Sequence, residues 1–216
     1  MQNFITDALF AVIPILICLT IHELAHGAAA YALGDPTAKE MGRLTLNPLR
    51  HVDPIGFLML LLVRFGWAKP VPVDTRNFSR PRAYMAITAL AGPVSNFLLT
   101  ALIFLFQIPM MRLLDGSGDI GQTVVRTLFT TGILSVYLAV FNLLPIPPLD
   151  GSKVLFSLLP RRYYQVILRY ERYGVILLFA LIWFGFTAGP VRGVMDTVWQ
   201  WIFELMYTPS AFLFGG

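Results

Sequence analysis

Two histidines and a glutamate occur together in the sequence His22-Glu23-x-x-His26. On a helix, His22 and His26 are one turn apart on the same face, about 6 Å along the axis, so both imidazoles can reach one metal ion. Glu23 lies beside them, rotated by about 100° around the helix. A carboxylate there can take a proton from a water whose pKa a metal has lowered to near 7. The pattern predicts a metal-dependent hydrolase site.

The surroundings of this pair favour metal binding over an ordinary surface pair of histidines. The run from Phe10 to Leu33 is almost wholly apolar, and at 1.5 Å per residue it is long enough to cross about 30 Å of hydrocarbon. Ionisable side chains at that depth are expensive and are by default functional. The single cysteine, Cys18, lies one turn before His22, and we expect a small buried thiol there.

Composition predicts a membrane protein. The 216 residues are 56% hydrophobic and only 13% charged, with a mean hydropathy of +0.69, which excludes a soluble globular domain. We expect one membrane-embedded domain over residues 1–216, with a catalytic core over about 4–160 and no cleavable signal peptide. The net charge of +4 comes without a basic stripe or nucleic-acid motif, so no nucleic-acid partner is expected.

The order of apolar runs predicts an all-α fold of about four to six transmembrane helices, with a small β element and a re-entrant segment. Long helices are predicted over about residues 4–33, 83–113, 122–144 and 173–188, and a short one over 152–159. The loosely alternating residues 37–47 predict one or two short strands. The apolar run 55–65 is too short to span and predicts a re-entrant or interfacial segment. Residues 190–207 are either a fifth span or an interfacial helix.

The basic residues predict the sidedness. If residues 55–65 do not cross, residues 34–83 and 145–172 share one face and together hold all but three of the 16 lysines and arginines. Cytoplasmic loops carry such an excess. We therefore expect the N-terminus outside and the histidines in the cytoplasmic half of the bilayer, as in the plasma membrane of a prokaryote.

A third metal ligand is needed, because a catalytic zinc usually takes three protein ligands and leaves one position for water. The candidates by chemistry are His51, Asp53 and Asp150. Each has a local alternative. His51 and Asp53 could shape the turn that begins at Asn47-Pro48, and Asp150 could cap the helix that starts at Ser152. The residues alone leave the choice open.

Five motifs in chain order resemble those of the site-2 proteases, zinc metalloproteases that cut transmembrane helices. They are His22-Glu23-x-x-His26, Asn47-Pro48-x-x-His51-x-Asp53-Pro54-x-Gly56, Gly66-Trp67-Ala68-Lys69-Pro70-Val71-Pro72, Ala91-Gly92-Pro93-x-x-Asn96 and Asn142-x-x-Pro145-x-Pro147-Pro148-Leu149-Asp150-Gly151. They span most of the chain up to Gly151. The chain resembles a short form of the family, without a PDZ-like or CBS-like insertion.

The resemblance implies one zinc ion per chain, with His22, His26 and Asp150 as its ligands. It implies that Glu23 is the general base that activates water. It also implies that Asn142 hydrogen-bonds the substrate backbone or the developing oxyanion. The implied activity is that of a zinc metalloendopeptidase in regulated intramembrane proteolysis.

The resemblance implies less for three further residues: His51 and Asp53 would support the ligands or face the substrate, and Asn96 would pack between helices. The implied partner is the transmembrane helix of a single-span regulator in the lipid bilayer, such as an anti-sigma factor. Such a helix must unwind before its carbonyls can react, and strands within residues 37–47 could offer it an edge. The alternative function is a non-proteolytic membrane zinc-binding or transport protein, although the inverted repeats typical of transporters are not visible.

Overall fold

The computed structural model describes residues 2–63, 66–159, 173, 174, 176, 178, 180, 189 and 191–214. The helices whose bounds fall in these residues are α1 (Gln2–Ala32), α2 (Thr37–Glu40), α3 (Pro54–Val63), α4 (Pro81–Leu105), α5 (Gln107–Leu113), α6 (Gly118–Asn142), α7 (Asp150–Leu158) and α8 (Arg192–Phe214). Two short 3₁₀ turns lie in the connections, at Pro48–Arg50 and Thr75–Asn77. The part of the chain described here contains no β-strand, which confirms the all-α class.

Three helices are long and apolar enough to cross a membrane: Val12–Ala32 within α1, and the whole of α4 and α6. The chain is therefore an integral membrane protein, as predicted. Among the described residues the count is three rather than four to six. The helix predicted over 173–188 lies mostly outside these residues, and the segment predicted over 190–207 is α8, which is not one of the three.

The central helix is α4, which packs against α1, α6, α7 and α8. Its buried face carries small or weakly polar side chains such as Gly92 and Thr100. In lipid, small side chains let helices approach closely and hydroxyls bridge between them. Thr100 donates to the carbonyl of Gly132 on α6 at 2.9 Å, and Ser135 of α6 donates to the carbonyl of Asn96 at 3.0 Å.

An aromatic cluster holds α8 against the C-terminal end of α4. Phe104 of α4 is fully buried, and its ring lies 5.6 Å from that of Trp199 and 5.4 Å from that of Phe203 on α8. Phe129 of α6 completes the cluster at 5.7 Å from Phe104. Each such pair contributes about 0.5–1.5 kcal/mol beyond the burial of its surface.

The strands predicted over residues 37–47 are wrong. The segment forms α2 and then turns, because the carboxylate of Asp35 accepts from the backbone N–H of Thr37 at 3.1 Å and starts a helical turn. Gly42 then takes a φ of 64°, which reverses the chain. The hydrogen bond to Asp35 and a glycine turn therefore outweigh a weak polar alternation. Within the residues that the structure describes, β-type pairing is limited to one isolated antiparallel bridge between Val52 and Ala68.

The apolar run over residues 55–65, which was predicted not to cross the membrane, corresponds to α3, a helix of 10 residues. At 1.5 Å per residue it is about 15 Å long, half of what a span needs. Asp53 accepts from the backbone N–H of Gly56 at 2.8 Å and so caps its first turn. Ile55, Leu58 and Leu62 leave more than half of their surface exposed, as suits contact with lipid. Re-entry of this helix into the bilayer stays a prediction.

Candidate metal centre

Three side chains converge on one point inside the molecule. Nε2 of His22 and Nε2 of His26 lie 3.0 Å apart, and Oδ2 of Asp150 lies 3.0 Å from the first and 3.1 Å from the second. All three residues are buried, with 4%, 8% and 6% of their surface exposed. Among the described residues they form the group of histidine, cysteine and acidic side chains that could hold a metal ion.

Two separate parts of the chain deliver these groups. The histidines face the same way because they are one turn apart on α1, whereas Asp150 is the first residue of α7, after the proline-rich connection from α6. The next residue, Gly151, lies against the end of α6: a Cβ there would be 2.2 Å from the carbonyl oxygen of Leu143. Only glycine allows this approach, which brings Asp150 to the level of the histidines.

The far side of the His26 ring is held by the backbone of α4. Nδ1 of His26 lies 2.7 Å from the carbonyl oxygen of Thr88, and a carbonyl can only accept. Nδ1 must therefore carry the proton, which leaves the lone pair of Nε2 directed at the common point. This is how histidine ligands of metals are commonly oriented.

His22 is held in the same way by a side chain of α4. Nδ2 of Asn96 lies 3.2 Å from Nδ1 of His22, while Oδ1 of Asn96 is buried without a partner. Rotating this amide by 180° places Oδ1 opposite Nδ1, so that Nδ1–H donates to it. Nε2 is then left with its lone pair. Asn96 does pack between helices, being fully buried, but it also contacts a site histidine, which the sequence reasoning did not predict.

Gly92 makes room for both rings. A Cβ at this position would lie 2.5 Å from Cε1 and Nε2 of His26 and 2.6 Å from Cε1 of His22. Real Cβ contacts are never so short, so α4 can approach the imidazoles this closely only because residue 92 has no side chain.

The donor set fits zinc. Two neutral imidazole nitrogens and one carboxylate oxygen are a known ligand set of catalytic zinc sites, with bonds of about 2.0–2.2 Å. Tetrahedral ligands at that bond length are about 3.3 Å apart, close to the observed 3.0–3.1 Å. The supporting contacts of Thr88 and Asn96 satisfy the outer nitrogens. Three protein donors would leave one position on a bound zinc for a reactant.

Glu23 lies in the same cavity and is 8% exposed. Its Oε2 accepts a hydrogen bond of 2.9 Å from the backbone N–H of Val71. Val71 belongs to the irregular, extended segment Gly66–Val73, which is hereafter called the flanking segment. The carboxylate next to the histidines is thus held in place by the backbone of a distant part of the chain.

The cavity at the centre has a volume of about 490 Å³. Asn142 and Lys153 line it together with the three converging side chains. Nζ of Lys153 lies 3.6 Å from Oδ1 of Asp150. Oδ1 is the carboxylate oxygen that does not face the histidines. The amide of Asn142 donates to the carbonyl of Leu138 at 3.0 Å, within its own helix.

His51 and Asp53 lie outside the converging group. Asp53 caps α3, and Nε2 of His51 lies 2.9 Å from the carbonyl oxygen of Thr45. The backbone carbonyl of His51 accepts from Lys69 of the flanking segment at 2.8 Å. Both residues shape the turn, which was the local alternative. Cys18 is buried, as expected, and its thiol lies 3.4 Å from the carbonyl oxygen of Thr131 on α6.

The sequence reasoning missed the contacts made by backbone atoms. The carbonyl of Thr88 and the N–H of Val71 hold His26 and Glu23, yet every residue carries such groups, so no residue type marks them. One signal was available for Val71. It lies between Pro70 and Pro72, which have no N–H, so it is the only backbone donor in that stretch.

Comparison with known proteins points to one family. A family model described as Peptidase family M50 matches residues 108–185. The chain is 40% identical over 181 residues to "Putative zinc metalloprotease YwhC" of Bacillus subtilis, covering 80% of this chain and 79% of the relative. It is 27% identical over 197 residues to "Putative zinc metalloprotease Rip2" of Mycolicibacterium smegmatis, covering 89% and 69%. No solved structure matches the chain.

Proposed function

Because the chain belongs to peptidase family M50, the site-2 protease family, we propose that it is an intramembrane zinc metalloendopeptidase. It hydrolyses peptide bonds within or near transmembrane segments. The proposal rests chiefly on one observation: two imidazoles and a carboxylate meet at a buried point, with Glu23 in the same cavity. The histidines and Glu23 belong to a helix that is apolar enough to span a membrane.

The zinc ligands are Nε2 of His22, Nε2 of His26 and Oδ2 of Asp150. When bound, zinc supplies Lewis-acid activation of a water and of the scissile carbonyl. The chain's own contribution is to hold the three donors rigidly and almost dry. The contacts of Thr88 and Asn96 with the outer ring nitrogens keep both lone pairs turned inward.

Glu23 is the general base. Its Oε2 is held by the N–H of Val71, so the carboxylate is fixed in rotation and its second oxygen, Oε1, is available to take the proton of the attacking water. The same oxygen then delivers that proton to the nitrogen of the departing amine. Two proton transfers by one carboxylate complete the hydrolysis without a covalent intermediate.

Asn142 binds the substrate in the cavity that holds the three zinc ligands and Glu23. Its side chain lines the cavity, and its present partner, the carbonyl of Leu138, already has a place in the helix hydrogen-bond pattern. The amide can therefore turn to donate to a substrate carbonyl at little cost. A donor in that position stabilises the oxyanion that develops as water adds.

An apolar substrate can reach the site through a groove. A second cavity of about 530 Å³ lies among α1, α3, α6 and α8, and it shares Leu19, Trp67 and Leu138 with the central cavity. Its walls are almost wholly hydrophobic, which suits a segment that arrives from lipid. We take the substrate class to be the transmembrane segment of a single-span regulatory protein, as the family resemblance implies, unwound locally so that its carbonyls are free.

The excess of basic residues in the loops that flank the site argues for a cytoplasmic orientation. Cleavage at this depth would release the cytoplasmic part of the substrate. A fusion substrate whose cytoplasmic domain carries a reporter would test that orientation in cells: released reporter is expected in the soluble fraction.

Replacing Glu23 by glutamine tests the proposed activity. In liposomes that hold the purified protein and a tagged single-span substrate, wild type should cleave. E23Q should lose about 10²–10⁴-fold in rate while keeping about one zinc per chain by mass spectrometry. Glu40→Gln is the matched control, because Glu40 is exposed on α2. Cleavage by E23Q at the wild-type rate would refute the role of Glu23. Zinc flux without cleavage would favour a transport protein.

A further inference from the structure

Arg43 is a buried cation close to the site. Only 5% of its surface is exposed, and within the described residues no carboxylate pairs with it. Its Nη2 donates instead to two backbone carbonyls of the flanking segment, those of Lys69 and Pro70, the latter at 3.3 Å. Burying a guanidinium is costly unless its donors are used. These two carbonyls offset part of that cost, while Nε of Arg43 is buried without a partner among the described residues.

One of those carbonyls belongs to the peptide group that holds Glu23. The peptide between Pro70 and Val71 accepts from Arg43 through its oxygen and donates to Oε2 of Glu23 through its N–H. Because residues 70 and 72 are prolines and have no N–H, this peptide offers the one backbone donor of the stretch Pro70-Val71-Pro72. Cation, peptide and carboxylate therefore form a single chain of hydrogen bonds.

We propose that Arg43 is a positioning residue for Glu23, acting through the peptide between Pro70 and Val71; this inference rests on the function proposed above. The positive charge fixes the orientation of the peptide plane and so directs its N–H at the carboxylate. It also polarises the peptide, since hydrogen bonds in a chain strengthen one another. Arg43 touches neither the three converging side chains nor the point where they meet.

The rest of the flanking segment is held without Arg43. Lys69 N–H donates to the carbonyl of His51 at 2.8 Å, and Ala68 forms a bridge with Val52. Beyond the far end of the segment, the N–H of Asp74 donates to Oδ2 of Asp35 at 2.8 Å. Loss of the Arg43 side chain should therefore loosen the two peptide groups on either side of Pro70 and leave the path of the rest of the segment unchanged.

Arg43→Met removes the donors and keeps a long side chain. We expect kcat to fall on the order of 100-fold, the usual cost of a group misplaced by about 1 Å, with KM within about 2-fold of wild type and the zinc content unchanged. Arg43→Lys keeps the charge and should recover part of the loss. Arg76→Met is the matched control, since Arg76 is exposed and pairs with Asp74. Wild-type kcat in Arg43→Met, or loss of zinc, would overturn the inference.

Val71→Pro deletes the N–H itself and tests the route. If Arg43 acts through this N–H, Arg43→Met should add little to the loss in a Val71→Pro background. Additive losses would contradict the inference. Should Val71→Pro fail to fold, amide hydrogen exchange decides: Arg43→Met should speed exchange at Val71, and unchanged protection would refute the link. Absence of cleavage by wild type would refute the proposed function, whereas unchanged exchange at Val71 in an active enzyme would refute the positioning role alone.

Discussion

Adding one methyl group at Gly92 should disable the metal centre. A Cβ at residue 92 would lie 2.5 Å from His26 and 2.6 Å from His22, whereas carbon atoms in contact are normally about 3.5 Å or more apart. The imidazoles, or α4 itself, must therefore retreat by about 1 Å. The rings cannot move independently of α4, because Thr88 and Asn96 of that helix hold the outer nitrogens of His26 and His22.

The size of the effect follows from the tolerance of metal sites. Ligand distances in real sites stay within about 0.2 Å of their usual values, so a displacement of about 1 Å breaks at least one bond to the metal. We expect Gly92→Ala to weaken zinc binding by on the order of 100-fold, about 2.7 kcal/mol. The rate of cleavage should fall with it.

Zinc binding can be measured by equilibrating the detergent-purified protein with a series of buffered zinc concentrations and counting bound zinc by mass spectrometry. Gly193→Ala is the matched control: it lies in α8, and a Cβ there meets nothing within 4 Å. Alanine in that helix should leave zinc binding unchanged and stabilise the protein slightly, if at all. If Gly92→Ala binds zinc as tightly as wild type, the close approach of α4 to the histidines is wrong.

Three further changes test the ligands, their support and a buried acid. Asp150→Ala should reduce zinc to well below one ion per chain, whereas Asp53→Ala should retain it; zinc content measured in parallel decides, and the reverse result would reject the ligand set. Asn96→Leu should weaken zinc binding about 10–100-fold by removing the partner of a ligand histidine, and unchanged affinity would show that His22 needs no such partner. Burial raises the pKa of Asp35, but hydrogen bonds from Thr37, Asn77 and the N–H of Asp74 lower it more, so the net pKa lies below the ordinary value. The stability that this depressed pKa contributes is present above the ordinary aspartate pKa of about 4 and is lost as the pH falls through the folded pKa. The Tm advantage of wild type over Asp35→Asn should therefore shrink as the pH is lowered from 7 towards 3, and a gap that does not depend on pH would contradict this.

The connections of the fold show where local pattern misleads. The polar alternation over residues 37–47 predicted strands, yet the segment turns back on itself, because Asp35 collects four hydrogen bonds from Thr37, Asp74 and Asn77. Two of those partners, Asp74 and Asn77, are about 40 residues away in sequence. A buried carboxylate with distant donors cannot be read from the spacing of nearby residues.

The sequence by itself determined the membrane helices and one half of the centre. Apolar length predicts α1, α4 and α6, and the period of a helix places His22, Glu23 and His26 together whatever the rest of the chain does. These are local properties, so they need no knowledge of what lies opposite.

Tertiary structure decided the other half. Chemistry alone left His51, Asp53 and Asp150 as candidates for the third donor, although the family resemblance implied Asp150. The packing of α7 against α4, with Gly151 against the end of α6, is what places Asp150 beside the histidines. The orientation of both rings and of Glu23 depends on α4 and on the flanking segment, through two backbone groups, an amide and a glycine. Backbone atoms are the same in every residue, so their role appears only when the chain has brought them within hydrogen-bond distance.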